Sequence, residues 1–587
     1  MREKIIFDIE ISPNMFMVGF KKLDGKVLQI TTKTKLDKTQ CMNIRKVINQ
    51  YTLIGFNNSR YDNPMLLKAL DGATTTELFK MSERVVKDNM PTFMTMRDFD
   101  LEPIRAMDTI DLMPPQPAVF ASLKSLGVRL NSPKLQELPY AYDKVLSDKE
   151  IEVIAKYNIN DLDVTIDLYK AIKGEITLRE QMGEQYGTDL RSKSGAQVAT
   201  AVLLKMTKYQ GAKPSIPKSV RYVAPKCVQF NSYVLQGLLK RVEEHVFAIN
   251  PKNGQPVNPD WLKKFPLTIN NTPYQVGVGG LHDKRKKTTF RADDDTLLLD
   301  IDVASYYPSM MIEFGYAPKH IKGFLDTYKR IYKTRLNAKR TGDKFVSNSL
   351  KLVLNSSFGL LGSMYSKFYS PDTMLQVTIT GQLMLLMLIE EIEAEGVEVF
   401  YANTDGITLK LPKGKLDTIR NIVFDWELQT GMVMEENYFD SVHIRDVNSF
   451  VNITTDGEVK AKGVYAPPTL SKNNEYPIVF DAIKAHLKDG TPMEDVINSC
   501  TDVTKFVSGR AVAKGGHWKG KYLGKMVRFY YSTEGEPIYY INVHGNEAKV
   551  ATTDGAKPMM DLVNTVPTDL DYDKYIELAY KHLENLC

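Results

Sequence analysis

Two short acidic stretches carry residue types that could do chemistry together. In Leu299-Asp300-Ile301-Asp302-Val303-Ala304-Ser305-Tyr306-Tyr307-Pro308-Ser309, an apolar run from Leu297 leads to two aspartates and then to a proline. That pattern reads as a buried strand with a carboxylate at its end, followed by a tight turn. Asp300 and Asp302 alternate, so both face one side of the strand. About a hundred residues later comes Val397-Glu398-Val399-Phe400-Tyr401-Ala402-Asn403-Thr404-Asp405-Gly406. If the two strands pair, Asp302 and Asp405 can share two magnesium ions, which favour a few carboxylates together with substrate phosphates. Nucleotidyl transfer is the chemistry such a pair would serve.

A second acidic set lies near the N-terminus. Ile5-Ile6-Phe7-Asp8-Ile9-Glu10-Ile11 alternates like a strand with both acids on one face. An isolated pair of this kind is ordinarily a half-exposed strand. Two further stretches change the odds: Leu53 to Asp62, a strand entering a polar turn, and Tyr157 to Asp161, on a helix with both residues on one face. Asp108 and Asp111, between them, read as turn or cap residues.

The elements that must position these groups need several domains, because single cores stop growing well below 587 residues. Hydrophobic content of 43% and charged content of 25% are ordinary for a globular protein. A net charge of +5 permits a nucleic-acid partner without requiring one. Four scattered cysteines with no CxxC pair exclude a zinc ribbon and suggest a reducing compartment. The N-terminus runs straight into a strand with no signal-peptide pattern. The longest apolar run, Leu383 to Ile389, is too short to span a bilayer. A soluble, cytoplasmic protein with no membrane partner is expected.

The N-terminal motifs carry a resemblance. Asp8 with Glu10, Asn58 with Tyr61-Asp62, and Tyr157 with Asp161 are similar to the three motifs of the DEDDy 3′→5′ proofreading exonucleases. The resemblance implies Asp8, Glu10, Asp62 and Asp161 as metal ligands and Tyr157 orienting the attacking water. It gives Asn58 a contact to single-stranded DNA, and Lys134 is a further candidate for stabilising the leaving oxyanion.

The later motifs resemble those of family B DNA polymerases, in that family's order. Asp302 to Ser309 is similar to motif A, with Tyr306 where leucine is usual. It implies Asp302 and the Val303 carbonyl as metal ligands, Ser305 and Tyr306 near the nucleotide, and Tyr307 under the incoming sugar, excluding a 2′-hydroxyl. Lys351 to Gly359 is similar to motif B, with Phe358 where tyrosine is usual. Read upstream as a helix, it puts Lys344, Asn348, Lys351 and Asn355 on one face. Lys351 is then the triphosphate lysine, Asn355 lies by the nascent base pair, and Arg335 and Lys339 are candidates for the β- and γ-phosphates. Phe358 and Gly359 are expected against DNA. Tyr401 to Gly406 resembles motif C, where Asn403 replaces an aspartate and Gly406 a serine, while Asp405 keeps the main ligand. Tyr274 to His282, with Gly279 and Gly280, resembles the segment that touches the template strand. Lys462 and Tyr465 are the best matches to the lysine-tyrosine motif at the primer end.

The implied architecture is a multidomain α/β protein: a ribonuclease H-like exonuclease domain, then a right-hand polymerase. The expected divisions are 1–178 exonuclease, 179–290 linker region with the glycine-rich segment, 291–318 and 356–468 palm, 319–355 fingers, and 469–587 thumb. Two Mg2+ ions per site are implied, with Mn2+ as substitute. The implied partners are primer-template DNA, deoxynucleotides and single-stranded DNA in the exonuclease site. The resemblance is to compact bacteriophage replicases, which places the protein in host cytoplasm as a monomer. Protein-primed members carry insertions between motifs A and B and between B and C. Those stretches are short here, so terminal-protein priming is not expected. A helicase, single-strand-binding protein or processivity partner is expected instead.

Overall fold

The computed structural model describes residues 2–117 and 121–587. Its elements fall into two compact units, one made of Met1–Ser194, Pro468–Val479 and Ile497–Ile576, the other of Gly195–Pro467, Phe480–Val496 and Glu577–Cys587. Both mix helix and strand, as the expected α/β class requires.

The first unit is built on a mixed sheet of β1 (Glu3–Ser12), β2 (Met15–Lys22), β3 (Val27–Thr32), β4 (Tyr51–Gly55) and β5 (Thr109–Asp111), in the order β3-β2-β1-β4-β5. β1, β2 and β3 are antiparallel neighbours, while β4 and β5 run parallel to β1. Alternation along β1 feeds two cores: Ile5, Phe7 and Ile9 enter one, and Ile6 enters the other with Ile54, Ile110, Leu162 and Ile166. Asp8 and Glu10 continue the Ile6 face. Helix Asp148–Ala171 covers that face, opened by a capping box between Ser147 and Glu150. Gly19 makes the close approach possible, because a Cβ there would fall 1.9 Å from Asn158 Oδ1.

The C-terminal part of this unit is a second sheet whose long hairpin pairs Ser508–Trp518 with Lys521–Tyr531. It packs on helix Leu123–Arg129, where a Cβ on Gly509 would meet Val128 at 2.2 Å. Arg528, 0% exposed, sends its guanidinium to the carbonyls of Ser132, Pro133, Met559 and Met560 at 2.8 to 3.3 Å. Much of the segment 469–587 is thus integrated with the residues that carry the first acidic set.

The second unit is organised around a large sheet. Its strand order is Val459–Lys462, Ser449–Thr454, Met434–Asp446, Thr296–Val303, Gly406–Pro412, Glu398–Asn403, His282–Asp283, Thr272–Gln275 and Leu267–Ile269. Thr296–Val303 lies at the centre, bonded on both sides, which accounts for its apolar run. Helix Pro371–Ala394 is long and apolar enough to cross a membrane by length and composition. It is a core helix here, with 83% of that window buried. Two helices, Phe324–Thr341 and Lys344–Leu361, form an antiparallel pair joined by Gly342 in the left-handed conformation and by Asp343, which caps the second helix.

Candidate active sites

In the first unit, β1 delivers Asp8 and Glu10, the covering helix delivers Tyr157 and Asp161, and the first turn of helix Asp62–Leu70 delivers Asp62. Carboxylate oxygens of Asp8, Glu10 and Asp161 lie within 4.8 Å of one another. Asp62 is turned to the backbone and accepts from Ile9 N at 3.1 Å. Asn158 donates to Asp8 Oδ2 at 3.0 Å and so fixes that carboxylate. Burial and the Asp161 charge push Asp8 up to about 7. Burial, then Asp8 and Asp161, holds Glu10 well above the usual carboxylate range. Like charges this close favour an oxygen-liganded divalent cation, and the all-oxygen donor set suits Mg2+ or Mn2+. The carboxylates line a cavity of about 650 Å³ with Arg60, Tyr61, Val86 and Leu123 at its walls. Asp111 accepts from Asn57, Ser59 and Met113 backbone N–H groups, and Asp108 pairs with Arg191, so both are structural as read from the sequence.

A lysine also enters this site. Lys124 is ion-paired with Asp161, and its ammonium lies 4.3 Å from the Tyr157 ring centroid.

In the second unit, Thr296–Val303 pairs with Gly406–Pro412 so that Asp302 is opposite Gly406. Strands Glu398–Asn403 and Gly406–Pro412 form a two-residue hairpin with Thr404 and Asp405 at its tip. Thr404 has φ 61, the positive value such turns require and a strained one for a β-branched residue. The two carboxylate-bearing segments are tied by Val303 N donating to Asp405 O at 2.8 Å. Burial raises Asp302 and Asp405, and Asp302 raises Asp405 further. Asp300, bonded to Thr408 Oγ1 at 2.8 Å, is pushed to about 7 by burial and Asp302. The donor set at Asp302 and Asp405 is again all oxygen and fits a divalent cation.

Around this pair, Tyr307 packs on Phe358 with ring centroids 4.4 Å apart. Arg335 Nη1 donates to Ser305 Oγ at 3.2 Å while its buried Nε has no partner. Lys339, Lys351, Asn355 and Gly359 are exposed. Gly280 is pressed against the hairpin tip, since a Cβ there would meet Thr404 Oγ1 at 2.5 Å. Gln382 holds the glycine segment by donating to Gly277 O and Gly279 O at 2.8 and 2.7 Å.

No family model matches the chain. DNA polymerase II of Escherichia coli (strain K12) is 31% identical over 133 residues, 18% of this chain and 17% of that protein. DNA polymerase 1 of Pyrococcus abyssi (strain GE5 / Orsay) is 20% identical over 426 residues, 69% of this chain and 50% of that protein. The DNA polymerase alpha catalytic subunit of Xenopus laevis is 26% identical over 125 residues, 20% of this chain and 9% of that one. The chain thus spans half or less of the length of these relatives. The chain is similar to these DNA polymerases over the stretches given. A solved family B DNA polymerase from Pyrobaculum calidifontis aligns over 99% of this chain and 77% of its own, at TM-score 0.42 and 14% identity.

Several sequence expectations need correction. Tyr306 does not face a nucleotide: it is 4% exposed, and its hydroxyl donates to Gly381 O at 2.7 Å in the core. Tyr465 is 0% exposed, bonded to His582 O at 3.1 Å and packed edge-on against Phe480, so its ring is closed to a primer. Asn58 is 0% exposed and donates to Asn63 Oδ1, leaving no side-chain surface for a strand. Lys134 is exposed in a backbone bridge to Asp561, outside the residues lining the carboxylate cavity. Lys124 stands at the carboxylates instead. The signal for it was Ser122-Leu123-Lys124, which caps and opens helix Leu123–Arg129. Lys460 was also missed: with Lys462 it supplies positive charge to Asp302, and it donates to Asn437 Oδ1 at 3.2 Å. Their alternation on one strand was the available cue.

Proposed function

We propose that the chain is a template-directed DNA polymerase that extends a primer 3′-hydroxyl with deoxynucleotides, and that it carries a separate 3′→5′ exonuclease. The observation that carries the polymerase reading is the bond from Val303 N to Asp405 O, which ties the strand of Asp302 to the turn of Asp405 in a chain similar to DNA polymerases. Two Mg2+ ions held by Asp302 and Asp405, and by the Val303 carbonyl, would supply charge neutralisation and activation of the attacking oxygen.

The chain's own groups account for the rest. The Tyr307 ring, braced by Phe358, is the proposed floor for the sugar and the proposed gate against a 2′-hydroxyl. Arg335, with an unpartnered Nε, and the exposed Lys339 and Lys351 offer donors to the triphosphate. Lys462, with Lys460 beside it, is suited to primer phosphates. In the first unit, Asp8, Glu10, Asp62 and Asp161 are the proposed ligands for the metal that activates water, and Tyr157 orients that water. The two-residue join between helices Phe324–Thr341 and Lys344–Leu361 supports the compact, phage-like reading without protein priming.

Extension of a labelled primer-template with Mg2+ and four deoxynucleotides tests both assignments. Wild type should extend and shorten. Asp405→Asn should lose extension alone, and Asp8→Ala/Glu10→Ala should lose shortening alone. Shortening without extension in wild type would overturn the polymerase reading.

A further inference from the structure

The motif C hairpin departs from its family pattern at Asn403, and the surroundings of that residue explain why an amide stands there. Asn403 Nδ2 donates to Val447 O at 3.0 Å and to Tyr401 Oη at 2.9 Å. Tyr401 Oη itself donates to Val447 O at 2.9 Å. On its other side, Asn403 Oδ1 accepts from Thr404 Oγ1 at 3.2 Å. Thr404 is the strained left-handed residue that turns the chain into Asp405, and its own N–H donates to Leu281 O at 2.8 Å. The amide therefore joins the turn residue to the loop at Val447, between strands Met434–Asp446 and Ser449–Thr454.

An aspartate could not make this bridge. It has no N–H for Val447 O, and its charge would face a carbonyl and lie two residues from Asp405. Strain of this kind persists only where the surroundings over-determine it, and here both ends of the tether are specified.

Resting on the polymerase reading above, we infer that Asn403 is a positioning residue: its amide clamps the Thr404 turn to Val447 and so sets the Asp405 carboxylate in place. Asn403 is then an adapted member of the site and not a lost metal ligand. The misplacement of a reacting group by about 1 Å costs on the order of a hundredfold in rate, so loss of the clamp should appear in kcat.

Single-nucleotide incorporation by the full chain, with kcat, deoxynucleotide KM and Mg2+ half-saturation measured for Asn403→Asp, Asn403→Ala and Asn403→Ser, tests this. Asn403→Asp and Asn403→Ala should each lower kcat by about tenfold or more with KM little changed. Asn403→Ser, which keeps a donor hydroxyl, should retain more activity than either. Primer shortening at the wild-type rate shows the first unit intact, an unchanged melting curve is the folding control for the second, and Asn403→Ser keeps the comparison open should the aspartate variant not fold. If Asn403→Asp matches or exceeds wild type, or lowers its Mg2+ requirement, the residue is a decayed ligand and the inference fails. Wild-type kcat in Asn403→Ala would overturn it equally. A wild type that does not incorporate nucleotides would instead remove the polymerase reading.

Discussion

Gly406 lies directly opposite Asp302 in the sheet, and a Cβ at 406 would fall 1.8 Å from Asp302 Oδ1 and 3.1 Å from Ile301 O. The space beside the carboxylate therefore belongs to the carboxylate. A side chain at 406 can be accommodated if Asp302 rotates, which costs little stability but moves a ligand. Gly406→Ala and Gly406→Ser should thus lower primer extension by at least about tenfold while melting shifts little and shortening persists. Equal extension by Gly406→Ser and wild type would show that Asp302 has another productive rotamer.

Tyr307 and Phe358 act as one surface. With their rings 4.4 Å apart, deleting either side should loosen the proposed floor of the sugar site. Tyr307→Val is expected to raise ribonucleotide incorporation relative to deoxynucleotide by an order of magnitude or more. Phe358→Ala should give a smaller change in the same direction. The ratio of kcat/KM for the two sugars is the quantity to measure. Unchanged discrimination in Tyr307→Val would locate the gate elsewhere.

The sequence offered Lys134 for the exonuclease and the structure offers Lys124, and their surroundings separate them. Lys124 is ion-paired with Asp161 and lies over Tyr157, whereas Lys134 is exposed. Lys124→Ala should slow primer shortening by about tenfold to a hundredfold, in the range set by loss of one charge-stabilising donor. Lys134→Ala should leave it unchanged, and neither should alter extension on an undamaged primer end. Rate measurements on single-stranded oligonucleotide would decide between them.

Arg528 is a stability determinant of the first unit. Its buried guanidinium serves four carbonyls at Ser132, Pro133, Met559 and Met560. Pro133 O and Met560 O also accept from Leu562 N and Leu135 N, so Arg528→Ala takes the side-chain donor chiefly from Ser132 O and Met559 O and should destabilise the unit by about 3 kcal/mol. Because those carbonyls lie on two chain segments, thermal inactivation of primer shortening should move to lower temperature. Melting followed alongside exonuclease activity would show whether the loss is cooperative.

Much of this was legible in the sequence because it was local. Alternation in Ile5 to Ile11 placed Asp8 and Glu10 on one face, and the apolar run into Asp302 marked a central strand. The helix carrying Lys344, Asn348, Lys351 and Asn355 followed from polar spacing. Motif order supplied the family and the names of the carboxylates. What local pattern could not show was which aromatic and polar residues of a motif turn inward. Tyr306 and Tyr465 sit in matching motifs, yet their hydroxyls are spent on Gly381 O and His582 O, partners far along the chain. The same holds for Lys124, whose role depends on Asp161 thirty-seven residues away, and for Asn403, whose meaning depends on Val447. Periodicity fixes the face a residue occupies, but its hydrogen-bond partner is chosen by the packing of segments distant in sequence. Only the tertiary structure decided that Gly406 is the space Asp302 needs and that the amide at 403 is a clamp.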